Sequence, residues 1–180
     1  MGEKSADLVL NPFGRLFAGV SGAPATWTTT GTELGVYEDL VFMPNVGIRR
    51  TRGYEDKYNR VTTGVIMMGE MPVVGVTLRQ WDEDVYNAVC VGAENTGMKG
   101  LVTAGTNLAS LAQTFAFIPE DTTAWPALLL YNAIPVLDET AEITISAIEE
   151  MVLQTFWHAL PDSSDRVYKQ DLLANMPTLS

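Results

Sequence analysis

The sequence predicts a mainly β chain: an antiparallel β-sandwich or barrel with one short flanking helix, an extended N-terminal arm and a long loop. Three observations carry this. Seven or eight short stretches rich in β-branched and aromatic residues are separated by Gly, Pro and Asp turns, a single stretch has helical spacing, and no repeat, low-complexity tract or linker interrupts them. With 180 residues, 47% hydrophobic and 18% charged, the chain has enough apolar surface for one ordinary domain, which excludes a disordered tail. The expected division is an arm over 1–32, the sandwich or barrel over 33–162 and a polar, loosely held tail over 163–180.

The arm is expected because Pro12, Pro24, Gly14, Gly19 and Gly22 precede the Thr26-to-Thr30 stretch around Trp27, which is turn and extended composition. From Glu33 to Val46, Leu34, Val36, Leu40, Val41 and Phe42 are β-formers punctuated by Gly35, Pro44 and Gly47, giving one or two strands. The block from Ile48 to Arg60 is polar and holds Arg49, Arg50, Arg52, Lys57 and Arg60. Gly64 to Leu78 is β-rich around a Gly69-Glu70-Met71-Pro72 break, as in a hairpin or a bent strand pair.

Trp81, Val85, Ala88 and Val89 then fall at helical spacing. Asp82, Glu83 and Asp84 fill the first turn, where the helix dipole favours negative charge. Four glycines make Val91 to Asn107 a loop. Strands follow at Leu111 to Ile118 and Ala127 to Ile134, separated by Pro119-Glu120-Asp121, and then at Glu142 to Ile148 and Met151 to Leu160.

The charge balance narrows the function. There are 22 Asp and Glu against 11 Lys and Arg, a net charge of -11, and such a chain is repelled by phosphate, so sequence-reading nucleic-acid binding is not expected. No apolar stretch reaches the roughly 18 residues of a membrane helix, and the N-terminus lacks the pattern of a signal peptide or myristoylation site, so synthesis in the cytoplasm is expected. A single cysteine, Cys90, excludes an intramolecular disulfide framework and a cysteine-based zinc site.

Chemical signatures are sparse. Gly92 to Gly97 has the glycine spacing of a phosphate loop, but Met98 stands where the lysine belongs. The one histidine, His158, sits in an apolar run as a strand residue, and Cys90 lies between valines as an inert thiol. Helix capping accounts for Asp82 to Asp84 better than a calcium loop does. No catalytic residue, cofactor or metal is expected. What stands out is charge asymmetry: from Val61 to His158 twelve residues are acidic and only Arg79 and Lys99 are basic, whereas five of the eleven basic residues fall between Ile48 and Arg60. The block is either a solvated loop or the complement of an acidic face on the next identical subunit, and head-to-tail contacts of that kind close into rings or grow into filaments.

Glu70-Met-Pro-Val-Val-Gly-Val-Thr-Leu-Arg-Gln-Trp-Asp-Glu-Asp-Val-Tyr-Asn-Ala-Val89 resembles the strand and acidic-capped helix of the major tail tube proteins of tailed bacteriophages, a fold shared with type VI secretion tubes and headless phage-like particles. Ala127 to Pro135, Glu142 to Glu150 and Gln154 to Asp162 resemble that family's last three strands, so the likeness spans Leu34 to Asp162. It implies six copies in a ring and rings stacked into a hollow virion tail tube that conducts DNA. The partners implied are further copies of the chain, tail terminator, baseplate and tape-measure proteins, DNA passing without sequence-specific binding and, optionally, a sheath.

On that resemblance Arg49, Arg50, Arg52, Lys57 and Arg60 form a long hairpin or loop reaching a neighbouring subunit or ring. Asp82, Glu83, Asp84, Glu94, Glu120, Asp121, Asp138 and Glu139 are the candidates for the bore, where negative charge lets DNA slide. Other virion parts (a tail terminator, a baseplate hub or a capsid decoration protein) share the composition. A soluble small-molecule-binding β-barrel would be marked by a discrete pocket with convergent polar groups.

Overall fold

The computed structural model describes residues 13–54, 60–79, 82–90, 107–136, 143–144 and 152–179. Eleven strands and two helices occur among them: β1 (Gly14–Ala18), α1 (Trp27–Thr30), β2 (Thr32–Glu33), β3 (Tyr37–Met43), β4 (Val46–Tyr54), β5 (Arg60–Glu70), β6 (Val73–Leu78), α2 (Glu83–Val89), β7 (Gln113–Pro119), β8 (Ala127–Val136), β9 (Ile143–Thr144), β10 (Val152–Ala159) and β11 (Tyr168–Asp171). Every pairing is antiparallel. The main sheet runs β2-β1-β7-β8-β10-β6-β3, with β11 joined to β8 and β9 to β10, while β4 and β5 form a separate two-stranded sheet. The expected mainly β, sandwich-like class with a short helix is what the chain adopts.

The ten-residue β8 is where the sheet changes layer. Its first half, Ala127 to Leu130, pairs with β7 on one edge and β11 on the other; its second half, Ala133 to Val136, pairs with β10. The strands β10, β6 and β3 fold back over β1, β7 and β8, so that Val74, Val76, Leu78, Leu153 and Trp157 share one core with Leu16, Phe115, Phe117, Leu128 and Leu130. Side chains alternate across a strand, and β10 obeys this: Leu153, Thr155, Trp157 and Ala159 are buried between the layers, and Gln154 and His158 are exposed. The Trp157 and Phe115 rings meet at 5.0 Å between centroids.

The runs Leu-Phe-Ala in β1 and Ala-Leu-Leu-Leu in β8 do not alternate, because both faces of these strands are covered. Phe17, Ala116, Ile118, Ala127 and Leu129 point to a second cluster, closed by Trp27 of α1, Val20 and Met176. The expected arm and tail are therefore integral where they are described: β1 lies between β2 and β7, Trp27 is fully buried, β11 pairs with β8, and Gly22 bridges to Leu179. The turn residues that signalled an arm serve to bring one short apolar strand and one tryptophan back onto the sheet.

Thr155 is fully buried and its hydroxyl, like the indole N–H of Trp157, has no hydrogen-bond partner among the described residues. An unpaired buried polar group costs about 1–3 kcal/mol, and an apolar group of the same shape avoids it. Thr155→Val is accordingly expected to leave the fold intact and to raise stability by about 1 kcal/mol, read as a higher denaturant midpoint with an unchanged slope. A lower midpoint would mean that the hydroxyl is paired.

Candidate assembly interface

The basic block folds into a hairpin that leaves the domain. β3 and β6 pair from Tyr37/Leu78 to Met43/Val73, and β4 and β5 take over from Val46/Glu70 to Tyr54/Arg60; the register is unbroken across the junction, from Asp39/Thr77 to Gly47/Gly69, so the two ladders form a single long ribbon. Its lower part is built into the main sheet through the β6–β10 pairing, and among the described residues its upper part pairs only with itself. This resolves the Gly69-to-Pro72 break as a bent strand pair: β5 and β6 are successive segments of one strand line, each with a different partner. The local reasons are two. Pro44 and Pro72 interrupt the strands, and Asn45 and Gly69 adopt φ of 42° and 132°, which turn the ribbon out of the sheet.

Arg49, Arg50 and Arg52 stand on β4 and Arg60 opens β5; Lys57 lies outside the described residues. The register partners of Arg49, Arg50 and Arg52 are Ile66, Val65 and Thr62, and Arg60 faces Tyr54. β5 contributes no carboxylate until Glu70 at the root. The structure thus gathers four of the five basic candidates on one hairpin and supplies no acidic residue opposite them in the ladder.

The acidic candidates fall on separate turns. Asp82 caps α2, its carboxylate accepting a hydrogen bond from the Val85 N–H at 2.9 Å, and Glu83 and Asp84 occupy the exposed first turn. Asp82→Ala is expected to cost about 1 kcal/mol, the usual value of such a cap, as a fall in the thermal midpoint; no change would detach Asp82 from this role. Glu120 and Asp121 open the exposed β7–β8 connection. There Asp121 accepts from the Thr123 hydroxyl and from the Thr123 and Ala124 N–H groups, which holds its carboxyl below the usual range. Glu94, Asp138 and Glu139, and the glycine-rich loop between Val91 and Thr106, lie outside the described residues.

His158 is exposed on β10 between Val73 and Ile134, and Cys90 is buried behind α2, where burial pushes its thiol pKa up. Among the described residues no three His, Cys, Asp or Glu side chains gather as metal ligands, and no helix is long and apolar enough to cross a membrane.

One surface feature escaped the sequence. The outward faces of β3, β6 and β10 form an open, partly apolar groove lined by Asp39, Val41, Met43, Thr77 and Phe156, with the Phe156 ring lying over Gly75, where a Cβ would come within 3.3 Å of it. Val41 and, at the hairpin root, Val46, Met67 and Met71 are exposed. The alternation in β3 carries a signal for Val41, but the apposition of Gly75 and Phe156 needs the β6–β10 register.

No protein-family model matches the sequence, and no curated protein does. Among solved structures, the tube-terminating cap of the anti-feeding prophage aligns over 96% of this chain and 99% of that one, with a TM-score of 0.43 and 8% sequence identity.

Proposed function

We propose that the chain is a structural subunit of a phage tail or phage-like particle that assembles with copies of itself into six-membered rings, which stack into a hollow tube conducting DNA. The observation that carries this reading is the β4–β5 hairpin: an arm bearing Arg49, Arg50, Arg52 and Arg60 that, among the described residues, pairs with no strand of the main sheet, on a chain of net charge -11. A cationic arm on an acidic body complements another copy of that body. The open sheet supports the same reading, since among the described residues β2 and β3 end the strand order with no further strand beside them and strand edges are adhesive unless covered. The sequence resemblance from Leu34 to Asp162 supplies the tube geometry.

In this reading the hairpin contacts the adjacent subunit or ring, and exposed carboxylates such as Glu83, Asp84 and Glu120 face the bore, where they repel the phosphate backbone. Light scattering coupled to size exclusion, over a range of protein concentrations and at low and high salt, tests it. Masses that climb through a hexamer to larger stacks and fall back with added salt are expected. A monomer under every condition would overturn the proposal, and a hexamer that never stacks would replace the tube with a single terminating ring.

A further inference from the structure

We propose that the β4–β5 hairpin is a swinging arm, hinged where the ribbon leaves the main sheet, so that its angle is set by what it docks against and not by its own domain. Continuing the register from Met43/Val73 to Val46/Glu70 places Pro44 opposite Pro72 and Asn45 opposite Met71. A proline ring holds φ near -65°, far from the roughly -140° of an antiparallel strand, so both strands are diverted at the same level.

At the Asn45/Met71 position a regular pair would exchange two N–H···O bonds. Among the described residues the Met71 N–H donating to the Asn45 carbonyl, at 3.3 Å, is the bond that spans this level. Asn45 and Gly69 then hold positive φ on opposite strands, adjacent to a register shift between Gly47 and Ile48.

The two sides of this level differ in anchorage. Below it, the Pro72 carbonyl accepts from the Ala159 N–H at 2.9 Å, and Pro72 and Val73 are buried, so β6 is fixed to β10. Around and above it, Val46 is 45%, Met67 56% and Met71 71% exposed, and Pro44 and Asn45 are also exposed, so these described side chains do not clamp the root against the domain. Beside the root, Glu70 faces an open groove formed with Tyr131, Arg166 and Lys169, which gives the arm room to move. A two-stranded unit joined to a rigid sheet by one long hydrogen bond and two positive-φ residues is a hinge in physical terms: few residues absorb the rotation while both bodies keep their own ladders.

The test is a pair of nitroxide labels on the dilute, full-length chain in a Cys90→Ser background. Thr51→Cys with Ser163→Cys reports hairpin to body, and Ser110→Cys with Ser163→Cys reports body to body as the control. The expected hairpin distribution is at least about twofold broader than the control, and Pro44→Thr/Pro72→Thr narrows it. A hairpin distribution as narrow as the control overturns the hinge whether or not the proline variant folds, and a broad one unchanged in a folded proline variant overturns its location. Because the chain is measured as a monomer, failure to form rings leaves this result untouched.

Discussion

Reversing three charges on β4 with Arg49→Glu, Arg50→Glu and Arg52→Glu is expected to leave the domain folded and to weaken its growth into larger species sharply. The folding half of the expectation follows from the ladders: among the described residues β4 pairs with β5 alone, and their ladder passes into the main sheet through a level spanned by one 3.3 Å hydrogen bond. A change of side-chain charge on the arm therefore has little to act on in the domain's two cores, which are built from β1, β6, β7, β8, β10 and the helices.

The assembly half follows from charge. In the proposed assembly the arm meets an acidic body, and replacing three positive charges by negative ones would convert attraction into like-charge apposition, which costs several kcal/mol across an interface. Association weakened by roughly two orders of magnitude is expected, since each tenfold corresponds to about 1.4 kcal/mol. Sedimentation velocity at matched concentrations reads it, with unchanged far-ultraviolet circular dichroism and thermal midpoint as the folding control. Polymerisation at the wild-type level in physiological salt would remove the arm from the interface.

The second large effect concerns stability. Trp27→Ala is expected to cost about 3–5 kcal/mol, the range for deleting a fully buried aromatic side chain, against a total of about 5–15 kcal/mol for an ordinary domain. Trp27 has no exposed surface, closes the cluster formed by Phe17, Ala116, Ile118, Leu129 and Met176, and donates its indole N–H to the Gly22 carbonyl at 3.2 Å. A urea titration should show the midpoint falling steeply with the slope preserved. A loss below about 1 kcal/mol would mean that the N-terminal segment is an arm after all and that β1 contributes little to the fold.

That pair of expectations marks where the sequence was transparent and where it was not. The class was legible because β-branched runs between turn residues leave few alternatives, and α2 was legible because Asp82 and the spacing of Val85 and Val89 act locally. The place of β1 was not. Leu16, Phe17 and Ala18 form a run too short to stand out, and its significance depends on β7, about a hundred positions away, which covers one edge of β1 along its whole length. The C-terminal segment misled for the same reason: its polar residues make local turns, such as the Asp162–Arg166 pair at 2.7 Å, while scattered apolar residues, Val167, Tyr168, Leu173 and the buried Met176, pack onto the two cores.

For the candidate site, the cluster of Arg49, Arg50, Arg52 and Arg60 was visible as composition, but its separation from the main sheet was not. That property arises because Pro44 and Pro72 stand at the same level of one ribbon, a coincidence that only the pairing register exposes. The acidic candidates show the converse limit. Asp82 was legible as a helix cap and Glu120 as a turn residue, but which exposed carboxylates share a face depends on how separate turns are brought together, which local sequence does not carry.

Electron microscopy of the concentrated chain in negative stain tests the central claim most directly. Hollow tubes or stacks of six-fold rings are expected, with the β4–β5 hairpin bridging between subunits where averages resolve it. Dispersed particles of monomer size at the highest concentration attainable, or trimers without a central channel, would contradict it.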